Sequence, residues 1–155
     1  MRTVWYMNVQ HEVVISAPAA HVSEVFTDVE RWPDWTPSVT RASIVDGGPT
    51  LNVGTRVRIR QPRMPALEWV VRELTVGRSW TWFARSPGVT TSATHLIDEI
   101  DESTCRVRQH VDHRGAFAGV IGRLTRRRTR RYLVQEAAGL KQRCETTWTL
   151  RAASA

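Results

Sequence analysis

"VERWPDWTPSV", residues 29–39, sets two tryptophans and two prolines into eleven residues. Proline breaks helices and is excluded from central strands, and an indole is costly to leave in water. A turn this apolar has to cover something. Its expected role is to close the open end of a large internal cavity.

Upstream, "QHEVVISAP" is rich in β-branched residues and reads as a first strand ending near Ser16. Pro18 suits a helix start, where its missing N–H costs nothing. Val22, Val25, Phe26 and Val29 then recur at helical spacing. Asp28 is placed to cap a second short turn through "VERW", which Pro33 ends or restarts.

Downstream, strands alternate with turn signals. "SVTRASIVD" runs into "GGPTLNVG", and "TRVRIRQ" puts Val57 and Ile59 on one face and three arginines on the other. "ALEWVVREL", "SWTWFAR", "TTSATHLIDEI" and "CRVRQHVDH" follow, each ending in a turn. About six strands in meander order favour one antiparallel sheet with a wet face and a buried face. Residues 117–145 lack proline and keep helical spacing at Phe117, Val120, Ile121, Leu124, Leu133, Ala137, Leu140 and Cys144. They read as a long C-terminal helix, with "TTWTLRAASA" (146–155) as a loose tail. The expected fold class is α+β: a curved antiparallel sheet of about seven strands around a long helix, with two short helices after strand 1. A curved sheet cannot touch a straight helix along its whole length, and the gap is core or cavity.

At 155 residues, without repeats or linkers, the chain reads as a single domain over 1–155. No apolar run approaches the roughly 20 residues that span a bilayer, and "MRTVWYMNVQ" has no export-signal pattern. A cytoplasmic location is expected, with Cys105 and Cys144 as buried thiols. Charge is uneven: residues 1–102 carry 10 Arg and 12 acids, residues 103–155 carry 12 basic residues and 3 acids, giving the net +7. The run "RLTRRRTRR" (123–131) holds six arginines. It reads as a solvated helix face, as a surface for an anionic partner, or, at Arg128 and Thr129, as a polar spot facing the cavity. Nucleic acid is disfavoured because no aromatic residue is interleaved in the run.

The stretch "VISAPAAHVSEVFTDVERWPDWTPSV" (14–39) resembles the opening of the START-like, or SRPBCC, superfamily with the Bet v 1-like helix-grip fold. More narrowly it is similar to the bacterial polyketide cyclase/dehydrase and lipid-transport group. The acidic turn in "DEIDEST" and the terminal helix agree, so the resemblance covers nearly the whole chain. It implies a cavity between sheet and helix for a hydrophobic small molecule. In aromatase/cyclases of this fold, catalysis is assigned to an Arg assisted by a Tyr and a Ser. The corresponding positions here are Glu73, Val39 and Val71, so that triad is absent. Trp32 and Trp69 fall where the family places pocket tryptophans.

The candidate ligand-binding residues are Trp32, Trp35, Val57, Ile59, Trp69, Val71, Glu73, Trp80, Trp82, His95, Gln109, Thr129 and Leu133. Alternation from Leu67 through Trp69 and Val71 points Glu73 inward. There it is a general base or ligand group with a raised pKa, or else an Arg-paired carboxylate at the mouth. Trp80 and Trp82 share an inward face, as core filling or as a ligand stack, and Trp35 caps the entrance or simply packs. His95 and Gln109 supply the few polar groups that orient a ligand in a greasy pocket; a register slip of one would instead turn Arg108 and His110 inward. His110 and His113, three apart on a strand, point to opposite faces, so no metal site is expected. Phosphate loops and dinucleotide fingerprints are absent, and no cofactor is expected.

Function divides three ways. The first is a cyclase or dehydrase on a polyketide-like or aromatic ligand, with Glu73 or His95 as the acid/base group. The second is a lipid or isoprenoid-quinone carrier or sensor without catalysis. The third is an interaction protein using the Arg-rich helix. Monomer and homodimer stay equally open.

Overall fold

Along "RVRIR" the side chains alternate as expected: Val57 and Ile59 are buried, while Arg56, Arg58 and Arg60 face water. In the computed structural model, which describes residues 5–155, this strand is β3 (Arg56–Arg60) of a seven-stranded antiparallel sheet. The others are β1 (Trp5–Ile15), β2 (Arg41–Asp46), β4 (Leu67–Thr75), β5 (Ser79–Ser86), β6 (Val89–Asp101) and β7 (Thr104–Arg114). Residues 1–4, the start of the stretch read for an export signal, lie outside the described residues.

Strands β2 to β7 form the expected meander, and β1 pairs with β7, giving the order β1-β7-β6-β5-β4-β3-β2. Because β1 and β2 are opposite edges, the chain between them must cross the whole sheet. Helix α1 (Ala19–Thr27) and a 3₁₀ helix (Val29–Asp34) make that crossing. Proline at position 33 is accommodated inside the 3₁₀ turn, and Asp28 makes no side-chain cap. Strand β1 pairs with β7 in the register His11↔Gln109 and Val13↔Val107. His95, Ile97, Cys105, Val107, Gln109, Val111 and His113 are all buried, so no register slip occurs on β6 and β7.

Helix α2 (Ala118–Ser154) departs from expectation at both ends. The segment read as a loose tail is helical to Ser154 because α1 offers it a seat. Trp148 packs on the core and its ring lies 5.3 Å from that of His21, while Thr147 Oγ1 and His21 Nε2 are 2.8 Å apart. Arg151 reaches Glu24 at 3.4 Å. At the other end, Phe117, Val120, Ile121 and Leu124 are exposed rather than part of the buried stripe. The face turned to the sheet is carried by Ala118, Gly122, Tyr132, Leu133, Glu136, Ala137 and Leu140. By helical spacing Ile121 lies about a quarter of a turn from the middle of that face, Phe117 and Leu124 somewhat more than a third, and Val120 about half.

The Trp–Pro turn is rolled onto the core. Trp32 is buried, donates Nε1–H to the Phe26 carbonyl at 2.9 Å and stacks on the Phe26 ring at 5.6 Å. The turn also sits directly on α2 at Gly139, where a Cβ would lie 2.0 Å from the Trp35 carbonyl oxygen. Glycine inside a helix ordinarily costs about 1 kcal/mol relative to alanine. Here the contact reverses that sign, since overpacking against backbone costs about 1–3 kcal/mol. Gly139→Ala is therefore expected to destabilise the protein by about 1–2 kcal/mol in urea unfolding. A stabilised variant would show that the turn is not seated on the helix.

Candidate functional site

Helix α2 packs chiefly against β1 and β7, and the strands further across the sheet curve away from it. The space left between them is a chamber of about 330 Å³. Its floor is apolar, with the indoles of Trp32, Trp69 and Trp82 beside Val39, Ala93 and Val111. Its mouth lies where half-buried or exposed residues line it: Met64 and Pro65 in the β3–β4 loop, Pro87 in the β5–β6 turn, and Ile121 on α2. Two side chains hold that loop to the helix. Tyr132 donates its hydroxyl hydrogen to the Pro62 carbonyl, and Arg128 Nη1 donates to the Arg63 carbonyl at 3.4 Å.

The position of the mouth corrects the role expected of the Trp–Pro turn. Thr125 lines the chamber near the mouth, whereas the turn meets α2 at Gly139, about 21 Å further along the helix. The turn plugs the inner end. Trp32 contributes its ring to the chamber from there, and Trp35 does not reach it.

Of the residues expected at the site, Trp32, Ile59, Trp69, Trp82, His95, Thr129 and Leu133 line the chamber. Val57, Val71 and Trp80 are buried in packing outside it. Glu73 is exposed, not inward. The cause is a β-bulge: the β4–β5 register shifts between Val71 and Glu73, after which Leu74 pairs with Trp80 and packs on the core. One extra residue reverses every later side chain on that strand. Glu73 is thus removed as an acid/base group.

The inward carboxylate comes from the helix instead. Glu136 is buried, lines the chamber, and accepts a hydrogen bond of 2.6 Å from Gln109 Nε2. Gln109 is therefore a partner of the lining rather than part of it. Burial pushes the Glu136 carboxyl up to about 8, against the opposing effect of the Gln109 hydrogen bond. At neutral pH it is mostly a neutral acid, able to donate as well as accept. Helical spacing could have found it: Glu136 falls between Leu133 and Leu140 on the buried face, and it is the sole acid from residue 113 to 144.

Two histidines complete the polar set. The His95 ring stacks on Trp80 at 4.2 Å and meets Phe26 and Trp82 edge-on. Desolvation lowers its pKa to about 3, with a hydrogen bond to the Trp80 backbone opposing the shift. It is neutral at physiological pH, and its Nδ1 has no hydrogen-bond partner among the described residues. His113 pairs through Nδ1 with Thr91 Oγ1 at 2.9 Å, and burial lowers its pKa despite the nearby Asp112. Both rings and Glu136 can hydrogen-bond a ligand without bringing net charge into the apolar chamber. His110, by contrast, faces the other side of the sheet from buried His113.

A seven-stranded antiparallel sheet gripping one long C-terminal helix, with this chamber between them, defines a START-like helix-grip protein. The chain belongs to the polyketide cyclase/dehydrase and lipid transport family, whose model matches residues 6–145. Its fold is similar to that of the Zhui aromatase/cyclase from Streptomyces sp. R1128, at 20% identity and a TM-score of 0.73, covering 90% of this chain and 93% of that one. A START superfamily protein from Mycobacterium smegmatis aligns at 14% identity and a TM-score of 0.70, covering 88% and 97%. Norcoclaurine synthase from Thalictrum flavum aligns at 15% identity and a TM-score of 0.70, covering 93% and 96%. No curated protein matches the chain in sequence. Among the described residues no helix is long and apolar enough to cross a membrane.

Proposed function

We propose that this protein binds a hydrophobic small molecule of aromatic or polyketide-like kind in the chamber under α2. The observation that carries this reading is an indole-lined space whose inward acid, Glu136, is held uncharged. Trp32, Trp69 and Trp82 offer flat apolar surface to a ring system. Glu136 and His95 supply the convergent polar groups that fix orientation in such a pocket.

Within this reading, binding without the family's reported chemistry is favoured. Val39 and Val71 stand where an aromatase/cyclase carries Tyr and Ser, and the position of its Arg is the solvent-facing Glu73. Proton transfer to a bound ligand falls to Glu136, a lining group whose pKa is pushed up to about 8.

Titration with naphthol-like or flavonoid compounds is expected to quench tryptophan fluorescence, because three indoles face the chamber. Thr129→Phe, which projects a ring into the chamber from α2, is expected to weaken binding on the order of tenfold. No quenching with any such ligand, or equal affinity in the variant, would place binding elsewhere or nowhere. Glu136→Gln keeps the shape of the site and separates the two functions. Retained binding with lost turnover supports catalysis, whereas a wild type that leaves every bound ligand unchanged supports a carrier.

A further inference from the structure

The first half of α2 breaks the rules for a helix that lives in water. Phe117, Val120 and Leu124 are 59, 61 and 77% exposed beside the mouth of the chamber. Phe117 is held there by its backbone N–H, which donates to the Gly88 carbonyl, and by its ring, which fills the space where a Gly88 Cβ would stand. Phe117, the residue before the helix, gives it no side-chain cap, and the first turn of α2 has no acid. Such local losses without compensation in the folded chain mark surfaces kept for another purpose.

Helical spacing puts Val120, Leu124, Arg127 and Arg131 on one outer ridge, apolar at the mouth and cationic one turn further on. Arg123 and Arg130 flank that ridge, and all four of these arginines are exposed. No Asp or Glu occurs from residue 113 to 135. Some arginines elsewhere are matched with acids: Arg31 with Asp34, Arg56 and Arg58 with Glu68, Arg108 with Asp98, Arg151 with Glu24. Among the described residues, no arginine of the run 123–131 makes an ion pair.

We propose that this half of α2 docks on an anionic lipid bilayer, with Phe117, Val120 and Leu124 in the acyl boundary and the arginines among the headgroups. The mouth of the chamber then opens onto the membrane. Charge by itself fits an acidic protein as well. The uncovered apolar ridge at the tip, next to mouth residues Ile121 and Pro87, is what favours acyl chains over a second protein. Scattered exposed valines elsewhere carry no such meaning; here the apolar residues adjoin one another and a cationic collar.

The test is sedimentation of the intact protein with vesicles of phosphatidylcholine alone and of phosphatidylcholine doped with phosphatidylglycerol. Binding is expected only to the anionic vesicles, and it is expected to fall as salt is raised. Arg127→Gln/Arg131→Gln should weaken it about 25-fold, at about fivefold per arginine. Val120→Asp/Leu124→Asp should weaken it on the order of tenfold or more, including at low salt. All four positions are exposed, and unchanged far-UV circular dichroism verifies that the variants fold. Absence of binding to anionic vesicles at low salt, or binding that survives either double variant, overturns the proposal. So does binding to polyglutamate that equals vesicle binding and ignores Val120→Asp/Leu124→Asp, which would assign the ridge to acidic proteins. Fluorescence quenching by a chamber ligand is a separate readout, so failure here leaves the ligand-binding reading standing.

Discussion

Trp80→Ala is expected to lower unfolding free energy by about 3–5 kcal/mol, the range for deleting a buried large aromatic side chain. Trp80 is 1% exposed and sits at the centre of the aromatic core. Its ring stacks on His95 at 4.2 Å and meets Phe26 edge-on at 4.7 Å, with Trp82 at 6.1 Å. Phe26 in turn supports Trp32, so one deletion loosens both the sheet and the turn that plugs the chamber. The measurement is a urea titration against Arg58→Ala, an exposed position whose long ion pair to Glu68 contributes at most about 1 kcal/mol. A loss below about 1 kcal/mol would show that the indole is not packed as described.

The pH dependence of stability should have an unusual alkaline slope within the physiological range. Glu136 holds its proton in the folded state up to about pH 8, against an ordinary value of 4.5. Between those values the native protein binds a proton that the unfolded chain does not, so stability falls as pH rises. His95 acts in the opposite sense. Its folded value near 3 lies below the ordinary 6.5, so the unfolded chain binds the extra proton and stability falls as pH drops below 6.5. The two slopes oppose each other from pH 4.5 to 6.5. Above 6.5 Glu136 acts without that opposition, and about 2 kcal/mol should be lost by pH 8. In Glu136→Gln this loss should vanish, while the acid limb due to His95 remains. Identical profiles for the two proteins between pH 6.5 and 8 would mean that Glu136 is ionised when folded.

Much of the architecture can be read from local pattern. The alternation in "TRVRIRQ", the inward set from His95 to His113, and the order of strand, short helices, meander and long helix are all present in the fold. These features depend on side-chain period, which a sequence carries directly. The tryptophans at 32, 69 and 82 could likewise be assigned to the interior, because few other places suit an indole.

What the period does not carry is where it breaks and what each element meets. The bulge after Val71 sends Glu73 outward, and nothing in "EWVVREL" marks it, because either register leaves an apolar residue to face the core. The "TTWTLRAASA" segment is helical because α1 lies beside it, a long-range contact that local propensity does not report. The Trp–Pro turn was recognisable as a cover, but its seat at Gly139 places it at the inner end of the chamber. Sequence alone determined a sheet with one dry face, a long helix and indoles to bury between them. Tertiary structure decided which end of that space stayed open and that Glu136 would face it, because both depend on how a straight helix crosses a curved sheet.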